Sequence, residues 1–168
     1  MTIAPAAPSL VDASDFRAAM RELAAGVTIV TAGREGDRRG LTATAVCSVS
    51  ADPPTLLVCV NRDAEGHAAI LASGAFCVNV AAAEHRGLAE RFAGRGGARG
   101  AERFEVGDWR SLSTGAPALA DAVAVFDCRV IKAIDWGTHT VFLGAVAATT
   151  ISPERAALLY RAGAFAAG

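Results

Sequence analysis

Neither sign of charge dominates this chain: 16 Lys and Arg stand against 17 Asp and Glu in 168 residues, a formal net charge of -1. Nucleic-acid and anionic-membrane surfaces need a concentrated basic excess, so the balance argues against both partners. No apolar run reaches the length of a membrane span, and the N-terminus lacks the basic-then-apolar order of a signal peptide, so a cytoplasmic protein is expected. The four cysteines, Cys47, Cys59, Cys77 and Cys128, form no CxxC pair. Each sits in an apolar strand-like run, whereas structural zinc wants paired ligands on turns; buried free thiols and no metal are expected. Also missing are a Ser/His/Asp order, HExxH and any paired-carboxylate spacing, which leaves hydrolytic chemistry unsupported. "GRGGARGAERF" (94–104) is rich in glycine but has no GK[ST] ending and no strand-to-helix setting, and it reads as a mobile surface loop. His67 and His85 fall in polar helical segments and are expected to be solvated.

What is present is a packed, strand-rich globule of one domain. Hydrophobic residues make up 52% and charged residues 20%, which excludes disorder as the general state. Residues 1–11 read as a loose Ala/Pro-rich arm, and 12–168 as the domain. "DASDFRAAMRELAAG" predicts a helix capped by Asp12 or Ser14, striped by Phe16, Met20 and Leu23 and ended at Gly26. Strands are predicted at "VTIVTA" (27–32), across 42–61, at "AFCVNV" (75–80), and at 123–134 and 139–150, the last two joined by the compact turn "DWGT". Helices are predicted over 63–74, weakened by Gly66, and over 83–94. Residues 152–165 suit a short helix or a strand equally. Hairpin-like connections favour an antiparallel sheet, and the absence of βαβ alternation argues against a doubly wound fold. The expected architecture is mainly β with peripheral helices, a small closed or split barrel.

One stretch carries more information than the rest. "TATAVCSVSADPPTLLVCVN" (42–61) reads as two strands meeting at Asp52-Pro53-Pro54. Side chains alternate along a strand, so one face carries Thr42, Thr44, Val46, Ser48 and Ser50 and the other Ala43, Ala45, Cys47, Val49 and Ala51. The second face is small enough to press on a core. The first suits a flat, partly apolar ligand edged with polar atoms and bearing a phosphate, because hydroxyls and backbone N–H groups bond such atoms without burying a charge. An ordinary exposed strand face gives the same pattern, since Thr favours strands. Asn61 and Arg62 can take a phosphate at the strand exit, next to a helix start, or Asn61 can cap the next turn. His139 opens a strand and shares its face with Val141 and Leu143; a lone His there serves structure or a site.

Taken in order, "TATAVCSVS.DPPTLLVCVNR", "FCVNV", "RFAG", "ERF", "FDCRV" and "GTHTVFLG.V" resemble the short-chain flavin reductases, the NAD(P)H:flavin oxidoreductase components of two-component flavin monooxygenases. The likeness runs from about Phe16 to Tyr160 and is nearest to reductases serving 4-hydroxyphenylacetate and pyrimidine-ring monooxygenases. It implies an FMN-binding split barrel, a homodimer, FMN or FAD as cofactor, NADH or NADPH as hydride donor, and a flavin-dependent monooxygenase as partner. The resemblance carries flavin contacts onto Thr42, Ala43, Thr44, Ala45, Val46, Cys47 and Ser48, the phosphate turn onto Asn61 and Arg62, and a flavin neighbour onto Phe92. It carries the GTH motif onto Gly137, Thr138 and His139, with His139 on the nicotinamide side, and aromatic lining of the nicotinamide pocket onto Tyr160 and Phe165. Relatives offer a hydroxyl where this chain has Ala64 and Gly66, which leaves the phosphate to Asn61, Arg62 and backbone N–H groups. The same motifs also resemble cob(II)yrinic acid a,c-diamide reductases and non-catalytic flavin or haem carriers on this barrel.

Overall fold

The computed structural model describes residues 10–168, so most of the expected N-terminal arm lies outside the described residues. Helix α1 (Ala13–Glu22) starts where the side chain of Asp12 accepts hydrogen bonds from the backbone N–H groups of Ser14 and Asp15. It ends at Leu23, earlier than Gly26, because the chain turns extended there and Ala25–Gly26 becomes strand β1. The apolar stripe exists but is not covered: Phe16, Met20 and Leu23 all stay exposed.

Strands β2 (Thr28–Ala32), β3 (Arg39–Ala43), β4 (Val46–Ala51) and β5 (Pro54–Asn61) precede helix α2 (Glu65–Ser73) and strand β6 (Ala75–Val80). A short 3₁₀ turn leads into α3 (Arg86–Phe92), and a second one, Gly100–Glu105, leads to β7 (Trp109–Ser111) and β8 (Pro117–Leu119). The long hairpin β9 (Ala124–Trp136) and β10 (His139–Ile151) follows, then β11 (Leu158–Arg161) and β12 (Ala164–Ala167). The C-terminal segment is therefore a strand hairpin. Its two-residue loop puts both Ala162 (φ 51°) and Gly163 (φ 83°) in the left-handed region that a tight hairpin turn requires.

Seven strands form one antiparallel sheet in the order β3-β2-β6-β9-β10-β5-β4. Its two edges, β3 and β4, are consecutive in sequence and separated only by Thr44 and Ala45. Two residues span at most about 7 Å, so the sheet has to roll until its edges adjoin. The result is a mainly β, split barrel, as expected.

The runs "VTIVTA" and "AFCVNV" are buried almost throughout because β2 and β6 are covered on both faces, and their polar members are hydrogen-bonded inside, Thr31 to the Cys77 carbonyl and Asn79 to the Ile29 carbonyl and the Leu119 amide. Val30, Phe76 and Val78 point into the barrel with Val58, Val60, Cys128 and Phe142, and Ile70 of α2 plugs one end. Ile29 and Cys77 point outward under Leu88, Phe92, Phe104 and Leu119, a second layer built by α3 and the segment that follows it. Gly66 lies under the end of the Leu41 side chain, which would have to shift to admit a Cβ 2.6 Å away.

The interior tolerates no additional atoms at Gly144. A Cβ at that position would lie 2.5 Å from the Phe76 ring and 2.8 Å from the Cys128 Cβ, beside a register shift in the β9–β10 ladder. Gly144→Ala is expected to destabilise the fold by about 1–3 kcal/mol, seen as a lower denaturation midpoint in urea with an unchanged slope. An unchanged midpoint would show that the barrel interior is looser than these contacts require.

Candidate active site

The sequence stretch 42–61 does not form the continuous strand that its alternation suggests. The strand breaks at Thr44–Ala45, where the chain leaves one edge of the sheet and joins the other. The expected hydroxyl face is thereby split. Thr42 lies on β3, and its Oγ1 donates to the Ala89 carbonyl at 2.6 Å, tying the strand to α3. Val46, across from Val58, packs against the barrel interior. Ser48 is exposed at a bulge. The small face expected to meet the core points the other way: Ala45, Cys47 and Val49 are exposed.

Past the break, cross-strand pairing gathers the predicted residues into rows on the outer face of the sheet. Asn61 pairs with His139, and His139 with Trp136. Cys59 pairs with Val141, and Val141 with Ile134, while the Ala45 carbonyl accepts from the Cys59 amide at 3.0 Å. Cys47 pairs with Leu57, and Leu57 with Leu143. His139 thus stands between Asn61 and Trp136 at the end of an apolar, half-exposed sheet surface whose far side is β4. The β9–β10 turn holds it there: Gly137 takes φ 56°, and the Thr138 hydroxyl and His139 Nδ1 are 2.8 Å apart. Arg62 clamps the same turn, its guanidinium donating to the Gly137 carbonyl and its amide to that of Thr138. Asn61 does cap its turn, with Oδ1 accepting from the Asp63 amide at 2.9 Å.

A trough runs along the break. Thr42 is shared by clefts of about 420 and 200 Å³, and Thr44 and Tyr160 continue the second into a third of about 600 Å³ against α1. The floor is made of small residues, Ala43 and Ala93. One wall of the first cleft is the start of α2, where Ala64 occupies the cap position without a side-chain hydrogen bond. The opposite wall carries Arg99 and Arg103. Tyr160 and Phe165 stack edge to face at 5.2 Å on the rim of the second. Phe92 borders the trough, but its ring is a core side chain, 1% exposed and within 5.4 Å of the Phe104 and Trp109 rings.

Three expectations fail here for physical reasons. The glycine-rich loop 94–104 is a pinned wall, not a mobile surface loop. The Arg103 side chain donates to the carbonyls of Gly40, Phe92 and Ala98, and the Gly100 amide donates to the Glu65 carboxylate at 2.9 Å. His67 and His85 are buried rather than solvated. His67 Nε2 sits 2.8 Å from Thr140 Oγ1, while His85 accepts from the Ala82 amide and meets Asp121 at 3.1 Å. Burial opposes ionisation of Asp121, but its hydrogen bond and charge interaction with His85 outweigh that and hold its pKa below the ordinary value. The cysteines divide: Cys77 and Cys128 are buried as expected, Cys59 is half-buried and Cys47 is exposed.

These features fit a flavin. β3 and β4 are edge strands, each with one row of backbone N–H and C=O groups that the sheet leaves unpaired along most of its length. The small floor lets a planar ring approach the backbone. The first turn of α2 has free amide donors for a phosphate, with Arg99 alongside. Sequence reasoning missed the loop arginines as a cleft wall because their spacing carries no signal; only the pinning of Arg103 places them.

Burial pushes the Cys128 thiol up to about 12, and the Cys77 thiol is also raised, chiefly by burial. Both remain protonated and unreactive near neutrality. Iodoacetamide is therefore expected to label Cys47 in the native protein and to reach Cys77 and Cys128 only on unfolding, as peptide mass mapping would read. Native labelling of Cys128 would contradict this packing.

The comparisons with known proteins agree with this geometry. Residues 20–168 match the model of the flavin reductase like domain. The FMN reductase (NADH) RutF 2 of Methylorubrum extorquens (strain PA1) is 49% identical over 153 residues, covering 91% of this chain and 88% of that protein. The crystal structure of BorF, the flavin reductase component of a bacterial two-component tryptophan halogenase, superposes with a TM-score of 0.85 at 36% identity, covering 93% of this chain and 98% of that one. The Streptomyces globisporus C-1027 NADH:FAD oxidoreductase SgcE6, solved with NAD and FAD fragments, gives 0.84 at 36% identity, covering 95% and 96%. With a rolled seven-stranded sheet, a trough at its seam and this match over most of its length, the chain belongs to the flavin reductase like family.

Proposed function

We propose that the trough along Thr42–Ala45 holds a flavin and that the adjoining sheet face under His139 receives the nicotinamide of NADH. The chain is an NADH:flavin oxidoreductase that supplies reduced flavin, an activity supported by its FMN reductase (NADH) and flavin reductase relatives. The observation that carries the site assignment is the chain break at Thr44–Ala45. It brings small residues, two open strand edges, an uncapped helix start and the His139 turn to one place.

A bound flavin supplies the hydride-accepting centre. The chain's own residues orient and exclude. Backbone groups of Thr42, Ala43, Thr44 and Ala45 hold the ring edge, and Val46, Cys47 and Ser48 continue the contact along β4. The α2 amides and Arg99 take the phosphate, a role that the structure's clamp on Arg62 makes secondary for that side chain. Gly137 and Thr138 shape the turn. His139, exposed, offers Nε2 to the nicotinamide carboxamide, and Tyr160 closes the other end of the trough. Proximity and stacking geometry are what such a site contributes to rate.

Under anaerobic NADH, the protein with FMN is expected to bleach the flavin absorbance band; binding without bleaching would favour a carrier. His139→Ala is expected to raise the KM for NADH about tenfold, the loss of one or two hydrogen bonds, with flavin affinity unchanged. Equal values for both variants would remove His139 from the nicotinamide site.

The same reading includes a homodimer and a flavin-dependent oxygenase as the consumer of reduced flavin, as the BorF name states for that protein. Large apolar side chains left exposed on the outer sheet face and on α1 support a second copy: Trp136 is 82%, Ile131 58% and Phe16 57% exposed. Sedimentation equilibrium is expected to return twice the chain mass, and a monomer at micromolar concentration would overturn the dimer.

A further inference from the structure

One buried polar chain links the two halves of the site. Thr140, 1% exposed, lies on β10 immediately after His139. Its Oγ1 is 2.6 Å from Asp135 Oδ1, directly across the β9–β10 hairpin, and 2.8 Å from His67 Nε2 on α2. A threonine hydroxyl has a single hydrogen, and a carboxylate can only accept. The hydrogen of Thr140 therefore goes to Asp135, and the oxygen of Thr140 accepts from His67, which fixes the His67 proton on Nε2. The His67 ring is held in turn by the Phe142 ring, centroids 5.4 Å apart.

We propose that His67, Thr140 and Asp135 form a hydrogen-bond relay that positions the His139 turn, and so sets affinity for the nicotinamide without touching the ligand. The inference rests on the reductase reading for its kinetic arm only. The relay joins α2, whose first turn walls the flavin cleft, to the last rungs of the hairpin before Gly137. Arg62 holds that turn from the side of β5, and the relay holds it from the side of α2. With either anchor missing, the tip is a two-residue turn at the end of a hairpin whose residues 131–139 are all exposed. Such a tip belongs to the weakly protected parts of a fold. His67 and Thr140 are buried polar side chains beside the core residues Ile70 and Phe142, and each is the other's hydrogen-bond partner there.

The test uses the hairpin members, because Thr140→Val and Asp135→Ala leave α2 in place. In flavin-free protein, Thr140→Val is expected to speed amide exchange of residues 137–141 about tenfold, with β6 unchanged. In the steady state it is expected to raise the KM for NADH about tenfold while the flavin Kd stays within twofold of wild type, and Thr140→Ser is expected to restore both. Asp135 is exposed, so Asp135→Ala serves as the second variant if Thr140→Val fails to fold, with the same direction and a smaller effect. Unchanged exchange at the turn, or equal losses of NADH and flavin affinity, would overturn the proposal. If wild-type protein oxidises no NADH with flavin, the reductase reading fails and the exchange measurement alone decides the relay.

Discussion

The structure depends on a constraint of chain length. Two residues, Thr44 and Ala45, connect the opposite edges of a seven-stranded sheet. A flat sheet of that width would hold its edges about 28 Å apart at ordinary strand spacing, several times what two residues can bridge. The sheet must roll, and the rolled sheet gains a filled interior of Val30, Val58, Phe76, Val78 and Phe142. Closure by connection rather than by hydrogen bonds leaves a seam. There β3 and β4 have no strand neighbour on their outer sides, although side chains already take the Gly40 and Ala43 carbonyls. A binding trough is thus a consequence of how the barrel closes, with no insertion needed to build it.

The same closure gives the middle of the trough an uncharged floor, Thr42, Ala43, Thr44 and Ala93, while charged side chains, Asp63 and Glu65 among them, stand in the walls. A flavin ring asks for flat apolar contact and a handful of neutral donors, and edge backbone supplies those without the desolvation penalty of buried charge. Cations line both ends, Arg17 and Arg21 of α1 in the third cleft and the 94–104 loop in the first, where Arg103 is consumed in holding Gly40, Phe92 and Ala98 while Arg99 lines the cleft. Arg62 carries an analogous structural duty at the β9–β10 turn. The arginines here therefore divide into those whose side chains hold backbone carbonyls, Arg62 and Arg103, and those that line the cleft, such as Arg99.

Much of the fold was legible in the chain itself. β6 matches its apolar run residue for residue, and the β9–β10 hairpin lies within a few residues of its expected ends, because continuous burial and a two-residue Gly turn leave local marks. The Thr/Ser alternation misled for an identifiable reason. Alternation from Thr42 to Ser50 is real, but facing is a property of one strand, and nothing local marks the passage from β3 to β4. His67 and His85 misled similarly: both lie on short polar-looking helices, and only tertiary partners, Thr140 and Asp121, show that they are buried. The C-terminal strands were undecidable because their pairing is set by distant partners, β1 and the backbone of Val27, Ala81 and Arg21, which leave no periodic mark in residues 158–167. The 42–48 segment and the GTH turn stand out as motifs in the chain, and the fold sets the first beside the trough and the second at the β9–β10 turn. The loop wall does not stand out, since a run rich in Gly and Arg says nothing about what pins it.

The division of labour along β10 follows from strand alternation alone. Thr140 and Phe142 point into the barrel and His139 and Val141 point out, so adjacent residues serve opposite sides of one sheet. A side chain facing a ligand on such a strand has its immediate neighbours buried, and a buried polar neighbour must find partners inside. At Thr140 those partners are Asp135 and His67, which come from the other arm of the hairpin and from α2. Interior hydrogen bonds thereby reach the other arm of the hairpin that carries His139 and, through His67, helix α2. An apolar residue at 140 would keep the barrel's shape but strip the buried His67 Nε2–H of its acceptor and Asp135 of its donor, so the polar residue there answers to the partners on both sides of it.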